Sequence, residues 1–144
     1  MKQLTFLSLL GLLFLFASCE SELTKDNNDD SSQNISVILS NDNAKWKVSY
    51  FWDKDKEETS DFQGYTFVFQ SDGKLQAQKG DQVVNGTWRT IQDDGRQKFV
   101  MDMGLIKPLE ELTDDWLILE KSAGILKLKD DNDEHLEELH FSKL

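Results

Sequence analysis

From Ala44 to Leu144 apolar and polar residues alternate, and turn signals recur roughly every ten residues, the pattern of an antiparallel meander of short strands. The segment "WKVSYFW" puts Trp46, Val48, Tyr50 and Trp52 on one face and Lys47 and Ser49 on the other. "GYTFVFQ" follows with Tyr65, Phe67 and Phe69 in phase. "SDG" at 71–73 reads as a hairpin turn, because Asp-Gly readily takes the positive φ that tight hairpins need. "KLQAQ" is a short strand with Leu75 and Ala77 inward, and "KGDQ" turns the chain again. In "VVNGTWRTI" the Asn85-Gly86 pair fits either a bulge or a turn. A strand with a glycine kink is the favoured reading, since glycine lets a barrel strand bend sharply. "QDDG" turns, and "RQKFVMDM" is the fifth strand.

The period then changes. "GLIKPLEELTDDW" spaces Leu105, Leu109, Leu112 and Trp116 by four, three and four, a helical stripe. Pro108 stands near its start, where a missing N–H costs nothing. Glu110 and Glu111 suit the first turn of a helix dipole. A short helix is therefore expected between the fifth and sixth strands. "WLILEK", "GILKLKD" and "HLEELHFSKL" resume the meander and bring the total to eight strands. Eight hairpin-linked strands make a sandwich or a barrel. Tight turns between consecutive strands favour an up-and-down order, and closing that order removes exposed edges. An eight-stranded barrel has room inside for side chains or for one small ligand.

The N-terminus gives a different kind of information. After Lys2, the stretch from Leu4 to Ala17 carries no charge. It is long enough for the apolar region of a signal peptide and shorter than the roughly 20 residues of a spanning helix. The lone cysteine, Cys19, follows Phe16-Ala17-Ser18, and these residues resemble a bacterial lipobox. The resemblance implies cleavage before Cys19, diacylglycerol on its sulfur and an acylated amino group. Residues 1–18 are then the signal peptide. More than one acyl chain would anchor the protein to a membrane without a transmembrane helix. The alternative is an ordinary secretory signal with an incidental cysteine. Residues 20–43, rich in Asn, Asp and Ser, read as a tether, with Ile35–Leu39 as a strand fragment able to dock on the domain. Glu20 and Glu22 loosely fit the acidic signal that sends Bacteroidota lipoproteins to the outer face of the outer membrane. A solvated periplasmic linker fits equally.

Charge narrows the partners. Removing residues 1–18 takes away one lysine and no acid, which leaves 15 basic and 27 acidic residues. No Lys/Arg cluster is present to neutralise phosphates, so nucleic acid is not expected as a partner.

From Ala44 to Leu144 the chain resembles the lipocalin-like domains of Bacteroidota lipoproteins. Trp46 stands where these place a first-strand tryptophan, with Ala44 in place of the usual glycine. "NGTW" at 85–88 resembles their mid-barrel Gly-x-Trp, "DFQGYTFVFQSDGKL" their second and third strands, and "ELTDDWLI" their helix-to-strand junction. The resemblance implies an eight-stranded calyx and no particular activity.

The side chains offer a few candidate sites. Trp46, Val48, Tyr50, Tyr65, Phe67, Phe69, Trp88, Phe99, Met101 and Trp116 form the candidate lining of a pocket for an apolar or amphipathic ligand. The alternative is that the same residues fill the barrel as its core, leaving protein–protein contact as its work. Trp52 and Trp88 are candidate rim residues, with packing against the Gly86 kink the favoured alternative for Trp88, and Arg89 and Arg96 are expected to pair with acids on the outer face. Asp130, Asp131, Asp133, Glu134 and His135 read as a solvated acidic turn, because their spacing matches no EF-hand or zinc motif. No catalytic residue, metal or cofactor is expected. His135 and His140, an odd number apart, face opposite sides of one strand, and no phosphate loop is present.

Overall fold

The computed structural model describes residues 34–132 and 134–144. Cys19, the expected signal peptide and the first part of the expected tether lie outside the described residues. Nine antiparallel strands form a single sheet: β1 (Lys45–Lys54), β2 (Lys56–Glu57), β3 (Thr66–Phe69), β4 (Lys74–Lys79), β5 (Gln82–Asp93), β6 (Arg96–Asp102), β7 (Asp114–Ser122), β8 (Ile125–Asp130) and β9 (Leu136–Lys143). The two residues of β2 fold back on the end of β1. The other eight strands run up and down in sequence order, and β9 returns to pair with β1 from Trp46↔Lys143 to Lys54↔Leu136, closing the barrel. The expected all-β, eight-stranded up-and-down barrel is thus present.

The turns follow from their residues. At Asp94-Gly95 both residues have positive φ, +47° and +75°, as a two-residue hairpin between Asp93 and Arg96 requires. β5 runs unbroken through Asn85-Gly86 in regular register with β4, so this pair is neither a turn nor a bulge and the strand reading holds there.

Three elements differ from the sequence reading. First, β1 carries a bulge between Val48 and Tyr50. The extra residue reverses the phase of the strand: Phe51 turns into the core while Tyr50 moves outward against His140, ring centroids 4.9 Å apart. Second, the expected helix between strands five and six is a single 3₁₀ turn, Leu109–Leu112. Leu109 and Leu112 are buried, but Leu105 is 90% exposed and Trp116 lies in β7. The helical spacing arose because Trp116 obeys the strand's phase and happens to fall four residues after Leu112. Third, Ile35–Leu39 is not a strand fragment but most of the helix α1 (Ile35–Ser40), capped by the Asn34 side chain accepting from Ser36 N–H. Ile35, Ile38 and Leu39 join the core, and the indole N–H of Trp46 donates to the Leu39 carbonyl.

Candidate functional site

The interior gathers most of the expected apolar set into one packed cluster. Trp46, Phe67, Phe69, Phe99, Met101 and Trp116 are fully buried, with Val48, Tyr65 and Trp88 nearly so. Tyr50 is the exception, outside the barrel because of the bulge. Phe69 sits at the middle: its ring meets Trp46, Trp88, Phe99 and Phe141 edge-on, with centroid separations of 5.4–6.4 Å. Trp88 stacks on Phe99 at 5.4 Å and donates its indole N–H to the Gln70 carbonyl, which makes it a core residue and not a rim residue. Trp52 is half-buried on the outer side and donates to the Lys54 carbonyl. Sequence reasoning missed Phe51, which enters the core through the bulge, and Phe62, which packs edge-on against Phe51 at 5.3 Å.

The end of the barrel carrying the C-terminus of β1 has a different chemistry. The bulge that turns Phe51 inward also turns Asp53, two residues on, into the mouth. Across the ladder it pairs with Glu137 of β9. Asp130 continues the inward row of Leu126 and Leu128 and is 4% exposed. His135, just ahead of β9, brings its Nε2 to 2.9 Å from Glu137 Oε1. Ligand atoms of Asp130, His135 and Glu137 all lie within 4.8 Å of one another. Burial, followed by the neighbouring Asp53 carboxyl, holds Glu137 above the usual carboxylate range; His135 acts in the opposite direction. Burial and the nearby Asp130 also raise Asp114. Beside Asp53 a cavity of about 510 Å³ opens, lined by Phe51, Phe62 and Pro108, by the acids Glu58, Asp61 and Glu111, and by Lys56 and Lys107. Acidic residues were visible in the sequence, but not which of them face inward. For Asp53 the β1 bulge decides that, and it leaves no local signal, whereas Asp130 follows the phase of Leu126 and Leu128.

The loop between β8 and β9 is tied down from outside. Lys98 of β6 is almost wholly buried, and its ammonium lies 2.6 Å from Asp131, 2.8 Å from Asp93 and 2.9 Å from Asp115. These three carboxylates hold Lys98 charged well above the ordinary lysine range. In return the hydrogen bond from Lys98 lowers Asp115. A depressed folded value contributes stability that is full above the unfolded value, about 3.9, and is lost as pH falls through the folded one. Thermal melts should therefore show the protein losing stability on the acid side of that range. Lys98→Met should be less stable near neutral pH and should show a shallower acid loss. An unchanged acid limb in the variant would mean the ion cluster is not what titrates there. Arg96 also approaches Asp131, at 3.7 Å, as expected of an outer-face arginine.

No family model and no curated protein matches this chain. Among solved structures, it is similar to a DUF4847 family protein from Bacteroides vulgatus, with a TM-score of 0.51 at 14% identity. The match covers 75% of this chain and 96% of that one. At that identity the likeness speaks to the fold, and it agrees with the closed barrel described above.

Proposed function

We propose that this chain is a lipid-anchored, non-enzymatic accessory protein of the cell envelope, whose lipocalin-like barrel is a filled scaffold acting through its surface and rim. One observation carries the scaffold reading. The side chains that would line a calyx, Phe67, Phe69, Phe99, Met101 and Trp116 among them, are buried against one another. An apolar ligand inside the barrel would need the space these rings occupy, and protein pockets that hold ligands run to a few hundred cubic ångströms. The outer surface and the mouth are then the places for contact with a protein partner. Membrane attachment is supported by the resemblance of Phe16-Ala17-Ser18-Cys19 to a lipobox, and the membrane in this reading is an outer one, with the domain on its periplasmic or its exposed face.

Expression of the full chain in a bacterium that processes lipoproteins tests the anchor. The wild type should fractionate with membranes and incorporate labelled palmitate. Cys19→Ala should lose the label and leave the membrane fraction. A wild type without label, or a variant that keeps it, would remove the anchor from the proposal.

A further inference from the structure

We propose that Asp130, His135 and Glu137 form a binding site for a divalent transition cation of the zinc type at the mouth of the barrel, with the Asp53 carboxylate beside it. The three residues come from the end of β8, the residue before β9 and the first turn-in of β9, and their ligand atoms already converge within 4.8 Å. Donor atoms around a tetrahedral zinc, with bonds of about 2.0–2.2 Å, stand roughly 3.3 Å apart. The 2.9 Å between His135 Nε2 and Glu137 Oε1 is close to that, and the remaining adjustment is within the reach of side-chain rotation.

Two further observations ask for a cation. Asp130 is more than nine-tenths buried, yet among the described residues no lysine or arginine pairs with it; its carboxylate accepts only from the Asn132 backbone and side-chain amides. Buried charges in proteins are paired or coordinate metals, because an isolated one is costly to desolvate. Independently, the Asp53 Oδ1 atom is buried and accepts no hydrogen bond. The Lys54 ammonium lies 3.2 Å from it and 3.9 Å from Glu137 Oε1, on a side chain 58% exposed, so water screens both pairings. Asp53 faces Glu137 across the β1–β9 ladder, so its carboxylate belongs to the same group of side chains.

The donor set selects the class of metal. An imidazole with carboxylates suits zinc and its first-row neighbours, whereas calcium and magnesium prefer all-oxygen shells and Cu(I) prefers sulfur. Three protein ligands leave a position for water.

The full chain in detergent micelles, with Zn²⁺ and Co²⁺ as probes, tests the site. Titration calorimetry should find one Zn²⁺ bound per chain, and Co²⁺ should give the visible absorption of a nitrogen/oxygen-ligated ion. His135→Ala and Glu137→Gln should each weaken Zn²⁺ at least about tenfold, in line with what changes at metal-site residues cost. Both side chains are partly exposed, so the fold should survive, and circular dichroism checks that. His140→Ala, on the outer face against Tyr50, should bind as the wild type does. Absence of Zn²⁺ binding, equal binding by His135→Ala, equal loss in His140→Ala, or binding of Ca²⁺ in place of Zn²⁺ would each overturn the assignment.

Discussion

Phe69→Ala should cost about 3–5 kcal/mol of folding free energy, the usual range for deleting a buried phenylalanine. Phe69 belongs at the upper end. Its ring is fully buried, and it is the shared partner of Trp46, Trp88, Phe99 and Phe141. Truncation removes the transfer energy of one ring and also four edge-on contacts, each worth roughly 0.5–1.5 kcal/mol beyond area burial. Large neighbouring rings on stiff strands collapse poorly into the gap, so a cavity should remain. In a domain of this size the midpoint of thermal unfolding should fall by roughly 10–20 °C.

The same variant separates the two readings of the barrel. An engineered apolar cavity stays dry and takes up benzene. Benzene should therefore raise the melting temperature of Phe69→Ala and leave that of the wild type unchanged. If benzene stabilises the wild type as well, the barrel already contains usable space, and the apolar-ligand reading of Trp46, Phe67 and their neighbours regains its footing. A melting temperature in Phe69→Ala close to that of the wild type would show that the rings are not packed as tightly as their separations imply.

Where the sequence was legible, one local rule decided the outcome. Tyr65, Phe67 and Phe69 point inward because period two is the geometry of an extended chain, and nothing interrupts β3. The Asp94-Gly95 turn follows from backbone preference alone. Where it was not legible, two rules gave the same signal or the deciding event was remote. The i, i+4 spacing of Leu112 and Trp116 satisfies a helix, yet an even separation also satisfies a strand. Ile35–Leu39 is too short for its periodicity to tell a helix from a strand, and burial against the core settles it as α1. The bulge after Val48 is silent, because "KVSYF" alternates as a regular strand would. Its consequences reach furthest: it expels Tyr50, admits Phe51 and directs Asp53 toward Glu137. The candidate cation site itself is assembled by the turn from β8 into β9, and the bulge together with closure of β9 on β1 brings Asp53 beside it. A reading that treats each strand by itself sees only an acidic tail.

Gly86→Ala should be comparably damaging for a wholly steric reason. A Cβ at this position would lie 2.2 Å from the Asp102 carbonyl oxygen, 2.7 Å from the Met103 sulfur and 3.1 Å from the Met103 Cα. Only the sulfur belongs to a side chain, and it is not free to swing away, since Met103 is buried in the core. The backbone there is held as well, because Met103 N–H donates to Thr113 Oγ1 at 2.9 Å. β5 and the end of β6 must separate to admit one methyl group. Overpacking typically costs about 1–3 kcal/mol, and a clash against main chain belongs at the upper end or beyond, a fall in melting temperature of roughly 10 °C. Gly124→Ala is the matched control: a Cβ there meets nothing within 4 Å, so the same methyl should change stability by less than about 0.5 kcal/mol. Shortening Met103 in the Gly86→Ala background should not restore stability, because the Asp102 carbonyl remains in the way. Recovery in that double variant would place the clash at the sulfur alone. A Gly86→Ala protein that melts with the wild type would show that β5 and β6 part easily at this point.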